Sequence, residues 1–335
     1  MRKSIALFVV GLTLVFAQPE GHAASPDPLN FFKNYFLTGD YVVGGASLWR
    51  KGVNGIATGT ISMSNVPTNA DIVAAFLYVQ TAEIAQWSGI DHATFDGNDL
   101  GPGSTSVAKA LNWSSNTCPC WSVAWPPSGR RIVTYRADVL RFLPIDQNGN
   151  LVVNGPHTVQ VPDSGLYYDD DDQNSTERGG WSGPRAIGAS LVVVYRDSTK
   201  SFKAIVIYDG GFTKSPWASM TQTIAGFYEA STLNPDARMT HIVSDGSSFF
   251  SEKVSLDGQA IATNPFVGSS GRKWDNVTFP LNGKLAGDAA STTVRVDPYG
   301  FFPDCLSWSA IVFSTTVQDT DNDGLIDIWE TAPAV

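Results

Sequence analysis

The sequence predicts an all-β protein, a β-sandwich of jelly-roll-like type with long loops. Short runs rich in β-branched and aromatic residues, bounded by glycine, proline and asparagine, recur along most of the 335 residues. About a dozen strands at such spacing are what a sandwich or jelly roll needs. Helical patterning is confined to two stretches, 137–143 and 220–230. Asp-Gly pairs between β-patterned runs, at Asp96-Gly97 and Asp257-Gly258, are hairpin turns.

The chain opens on Arg2 and Lys3, an apolar run over 5–17 and small residues at Ala23 and Ala24. That order is a secretory signal peptide over 1–24, and it predicts a mature protein that is secreted or held at the cell surface. The run is too short to span a bilayer, and no transmembrane segment is expected after it. Losing Arg2, Lys3 and Glu20 takes the formal charge from −10 to −11. An acidic chain without a Lys/Arg stripe argues against nucleic acid as a partner.

The β-domain is expected over 25–318, with two sandwiches divided at 162–184 as the alternative. Runs at 40–49 and 55–63 lead to a turn at Pro67 and then to 70–81, where Ile72, Ala74, Phe76 and Tyr78 alternate with Val73, Ala75, Leu77 and Val79. Both faces are apolar, so this strand is expected to be covered on both sides. The 111–128 stretch, with Trp113, Trp121, Trp125, Cys118, Cys120 and three prolines, breaks the rhythm and predicts a structured loop. After strands at 131–135 and 157–161, the polar stretch 162–184, with Asp169, Asp170, Asp171 and Asp172, predicts an exposed loop. The apolar runs 187–196 and 203–208, joined by a short polar link, predict a central hairpin, and runs at 238–244, 276–281, 292–296 and 308–317 complete the set.

The last segment, 319–335, carries a chemistry. Asp319, Asp321, Asp323, Asp327 and Glu330 fall at positions 1, 3, 5, 9 and 12 of a twelve-residue calcium loop, with Gly324 at 6 and Ile326 at 8. Calcium is a hard cation that takes six to eight oxygens. The pattern supplies them from Asp319, Asp321, Asp323, the Leu325 carbonyl, Asp327 and a bidentate Glu330. The residues before Asp319 alternate as a strand does, so a single strand-entered loop is expected rather than a paired-helix EF-hand. The expected cofactor is Ca2+.

Several stretches resemble an uncharacterised family of secreted or surface bacterial β-domain proteins that end in a thrombospondin-type-3-like calcium loop. They include Gly39 to Val43, Gly52 to Thr60, Ala70 to Tyr78, Arg136 to Leu140, Gly188 to Asp197, Ala204 to Gly211, Asp304 to Trp308 and Ser314 to Glu330. The resemblance covers nearly the whole mature chain. It departs at Val335, where the resembled loops lead on to further chain, and at the acidic run over 169–172. Three cysteines in an oxidising compartment suggest one long-range bridge and one spare thiol. The resemblance, through its Pro-Cys-Trp context, implies that Cys305 pairs with Cys120, leaving Cys118 free.

Signals of catalysis are few. The mature chain has His92, His157 and His241, without a His-Glu-x-x-His or Gly-x-Ser-x-Gly motif. Glu83, Glu229 and Glu252 could serve a glycosidase, but each is expected to be a surface charge or a strand-end hydrogen-bonder. His157 and His241 are expected to be partly buried and satisfied. Trp113, Trp121 and Trp125 could stack a sugar ring, against the ordinary alternative that they close one end of the sandwich. The functional expectation is a non-catalytic, calcium-binding β-protein for adhesion or contact with an extracellular glycan or surface protein. The alternative is the accessory β-domain of a secreted hydrolase.

Overall fold

The computed structural model describes residues 27–84, 92–101, 108–113, 130–164, 184–232, 235–321 and 323–331. The first strand, β1 (Asn30–Ser47), is eighteen residues long and serves two sheets. Its first half runs antiparallel to β11 (Phe202–Lys214), with Phe36 opposite Ala204. Its second half pairs with β10 (Arg185–Arg196), with Val43 opposite Val192.

From β10 one inner sheet continues through β4 (Asp71–Ile84), β8 (Arg130–Asp138) and β7 (Ala108–Trp113). From β11 the other continues through β18 (Leu306–Thr316), β13 (Arg238–Ser244) and β16 (Trp274–Pro280). The first is covered by an outer sheet in the order β2 (Gly52–Val53), β3 (Ile56–Met63), β9 (Gly155–Pro162), β5 (Thr94–Phe95), β6 (Asn98–Asp99). The second is covered by β12 (Met220–Ala225), β17 (Ser291–Pro298), β14 (Glu252–Leu256) and β15 (Gln259–Thr263).

The sequence dictates this four-layer stack through strand alternation. In β4, Ala75, Leu77 and Val79 enter the core under the outer sheet, beside Ile61 and Val159. Ala74, Phe76 and Tyr78 turn the other way, into a core between the two inner sheets that also holds Ile205, Ile207 and Val312. In β11, Ala204, Val206 and Tyr208 face the second outer sheet and its Met220, Ile224 and Val294. Strands covered on both faces are buried on both, and β4, β10, β11 and β18 are buried along nearly their whole length. By contrast, β3 alternates buried Ala57, Ile61 and Met63 with exposed Thr58, Thr60 and Ser62, as an outer strand should.

The middle core is also tied by polar contacts. Tyr78 Oη donates to Asp209 at 2.8 Å, and Arg136 pairs with the same carboxylate. Tyr41 Oη lies 2.9 Å from Thr240 Oγ1 and donates to the Val312 carbonyl at 3.1 Å. Burial raises the Tyr78 hydroxyl well above its ordinary value, and Asp209 adds to the rise.

Two expectations are corrected. The 187–196 and 203–208 runs form β10 and β11, but they are not hairpin partners, because β1 lies between them. Their link is bonded to β1, with Asp197 N–H donating to the Thr38 carbonyl at 2.9 Å. The 220–230 stretch is not helical: β12 buries Met220, Gln222 and Ile224 at period two and stops at Gly226, whose φ is +89°. The 137–143 stretch keeps a single 3₁₀ turn at Leu140–Phe142, after Ala137 and Asp138 end β8. The chain passes between the two pairs of sheets within β1 and at 197–201; residues 165–183 lie outside the described residues.

Candidate metal centre

The 319–330 segment leaves the sandwich from β18 through Val317, which is 7% exposed and bridged to Ala230. Asp319, Asp321 and Asp323 then bring one carboxylate oxygen each to within 4.8 Å of the others. The turn is fastened by its own carboxylates. Asp319 Oδ2 accepts from Gly324 N–H at 3.2 Å, Asp321 Oδ1 from Asp323 N–H at 3.3 Å and Asp323 Oδ1 from Leu325 N–H at 2.8 Å. Gly324 has φ +92°, a conformation that costs glycine little and other residues more. Asp319 Oδ1 is buried without a hydrogen-bond partner, an oxygen that a cation would satisfy.

The rest of the motif frames this group. Asp327 accepts from Thr320 N–H at 2.7 Å and from Thr320 Oγ1 at 2.6 Å, closing the loop across its neck. It also opens the short helix α1 (Asp327–Thr331), which carries Glu330. Repulsion from Asp321, reinforced by Asp323, Asp327 and Asp319, raises the Glu330 carboxyl, so position 12 feels the other four. Two apolar side chains seat the loop on the sandwich. Ile326 is 2% exposed in the core under the second outer sheet. Trp329 packs edge-on against Phe36 at 4.9 Å and Tyr228 at 5.4 Å between ring centres.

The other expected residues divide in two. Trp113 ends β7 opposite Val133, in a strand rather than a loop. Trp121, Trp125, Cys118, Cys120 and the 169–172 aspartates lie outside the described residues. Cys305 is buried and disulfide-bonded. His157 and His241 are buried. His157 is held between Asp96 Oδ2 and the Val153 carbonyl, both at 2.7 Å. Burial drops the His241 imidazole to about 3.

Glu83 and Glu252 are not surface charges, since both are fully buried. Glu83 accepts from Tyr135 Oη at 2.6 Å and Thr81 Oγ1 at 2.7 Å. Glu252 belongs to a group of buried acids, with Asp245, Asp275 and Asp304, that no local motif announces. Burial, with Asp275 nearby, pushes Glu252 up to about 7. Burial, with Asp245 and Glu252 nearby, pushes Asp304 up to about 8. Each fixes a loop: Glu252 Oε1 accepts from Phe266 N–H at 3.0 Å and Asp304 Oδ2 from Ser247 N–H at 3.2 Å.

No protein-family model matches the chain, and no curated protein does. Among solved structures, PBCV-1 VP54, fitted into the virophage Sputnik reconstruction, matches at 8% identity over 84% of this chain and 94% of its own, with a TM-score of 0.21. A β-porphyranase of glycoside hydrolase family 86 from the human gut bacterium Bacteroides plebeius matches at 11% identity over 88% of this chain, with a TM-score of 0.25. This chain spans 38% of the porphyranase. At such TM-scores these likenesses say nothing about what the chain binds or does.

Proposed function

We propose that this chain is a secreted or surface-displayed calcium-binding β-sandwich module, used for adhesion or glycan contact, whose ion locks the 319–330 loop onto the sandwich. The observations that support it are the convergence of Asp319, Asp321 and Asp323 and, beside it, a buried Asp319 oxygen without a hydrogen-bond partner. The residues fit the ion: oxygen donors only, closely spaced, with Glu330 able to close the set. Bound calcium supplies charge neutralisation and a fixed turn; the chain supplies the seat through Ile326 and Trp329. A lone loop lacks the second helix pair through which sensor EF-hands open, so the ion's role is structural.

Extracellular modules of this kind bind at about 10⁻⁴–10⁻³ M. At calcium tenfold above the dissociation constant the linkage is about 1.4 kcal/mol, enough to order the last turn and far short of holding a sandwich. Isothermal titration of the full chain should show one calcium ion in that range, and Asp323→Ala should abolish the heat. Equal calcium binding by parent and Asp323→Ala would overturn the reading.

A further inference from the structure

The end of the second sandwich where the 215–219, 247–251 and 299–303 turns meet carries six exposed aromatic side chains, Trp217, Phe249, Phe250, Tyr299, Phe301 and Phe302. We propose that this end is a docking surface for a lipid membrane interface, entered by the two phenylalanine pairs. Soluble surfaces seldom expose so many large aromatic side chains at one end without a partner for them.

The turns are laced together rather than splayed. Ser251 N–H donates to the Phe302 carbonyl at 2.8 Å, and the Ser251 carbonyl accepts from Tyr299 and Asp304 N–H, each at 3.3 Å. The Phe249 ring lies 5.2 Å from Phe250 and 5.3 Å from Phe302. The Lys214 ammonium donates to the Ser215, Pro216 and Asp304 carbonyls, which fastens the Trp217 turn to the same end. The tips are therefore held in place before any partner arrives, and binding costs little ordering.

Shape and charge select the partner. Phe301 is 92% exposed and Trp217 73%, values that only a protruding side chain reaches, so the surface is convex. Residues 247–251 and 299–303 contain no charged side chain, and their side-chain polar groups are three serine hydroxyls and the Tyr299 hydroxyl. A polysaccharide would want amide and carboxylate partners for its hydroxyls, which these tips lack. A bilayer asks neither for a groove nor for charge at the insertion point. It accepts phenylalanine in the acyl region and holds Trp and Tyr rings at the headgroups. Without Lys or Arg at the tips, attraction to anionic lipid is not part of the mechanism.

The test is flotation of the full chain with phosphatidylcholine vesicles, in chelator throughout so that the calcium loop plays no part. The parent should float, Phe301→Ser should reduce the bound fraction roughly tenfold, and Phe301→Ser with Phe302→Ser roughly a hundredfold, as each buried ring contributes about that factor. Phe301 is too exposed for its loss to unfold the protein, and an unchanged melting temperature would confirm this. A parent that stays with the soluble fraction overturns the proposal, as does equal flotation of the variants. So does a patch that proves to hold a second copy, seen as a dimer by light scattering that Phe301→Ser makes monomeric, or a polysaccharide, seen as retention that the same variant loses.

Discussion

Glu252 and Asp304 lie where water scarcely reaches them, and each retains its proton far above the ordinary carboxyl range, at about 7 and about 8. Lys214, Asp245 and Asp275 face the pair, and burial lowers the Lys214 ammonium, so its offsetting charge weakens as pH rises. Folded values raised above unfolded ones mean that the native state binds more protons, so the stability gained is full at acid pH and is lost as pH climbs. The melting temperature should accordingly fall between about pH 5 and about pH 8.5, and Glu252→Gln should flatten that slope; a slope unchanged by the substitution would discard the assignment. The clustering of Asp319, Asp321 and Asp323 was legible in the sequence because these carboxylates follow one another within five positions. Asp245, Glu252, Asp275 and Asp304 were not, because strands from two sheets bring them together and nothing in their local context marks them. For the loop itself, Asp323→Ala should leave the melting temperature within about 1 °C without calcium and remove the calcium-dependent rise, measured by scanning calorimetry with and without chelator.

At the scale of elements, period-two apolar patterning located most of the strands, and it gave the two-sided burial of β4 outright. It could not supply partners. β10 and β11 read as a hairpin because five residues join them, yet β1 occupies the place between, held by nine register pairs to β10 and eight to β11. The hydrophobic period does not show that β1 changes partner between Thr38 and Gly39. In the 220–230 stretch, Thr221 and Thr223 are β-branched and the alternation is clean, but the run is short enough to read either way. The close approach of layers is carried by small residues such as Gly188, where an added Cβ would come within 2.1 Å of the Trp274 ring. Trp274 is fully buried and pinned by its Nε1–H to Ser190 Oγ at 2.9 Å, so it has nowhere to move. Gly188→Ala should thus destabilise by about 1–3 kcal/mol in urea unfolding, and a neutral result would show that the tryptophan yields.

Across the whole molecule the question is whether two sandwiches unfold as two bodies. Chains this long commonly unfold in steps, domain by domain. Here the two inner sheets share β1 and a core of their own, in which Tyr41, Phe76, Tyr78, Val192, Ile205, Ile207 and Val312 are all buried. Melting one sandwich alone would expose that core and strip the Arg136–Asp209 pair and the Tyr41 hydroxyl of partners on the far sheet. Each large side chain so exposed forfeits about 1.5–3 kcal/mol, so a half-folded state would lie well above both end states. Calorimetry should therefore show one transition whose measured enthalpy equals its van't Hoff value, in calcium and in chelator alike. Phe76→Ala, which removes a ring from the shared core, should lower that transition by several degrees without splitting it. Chelation should instead expose the chain beyond Val317 to protease, with Ile326 and Trp329 slowing the cut, while the transition moves little. Two resolved transitions in the parent would show that the shared strand and core do not couple the halves.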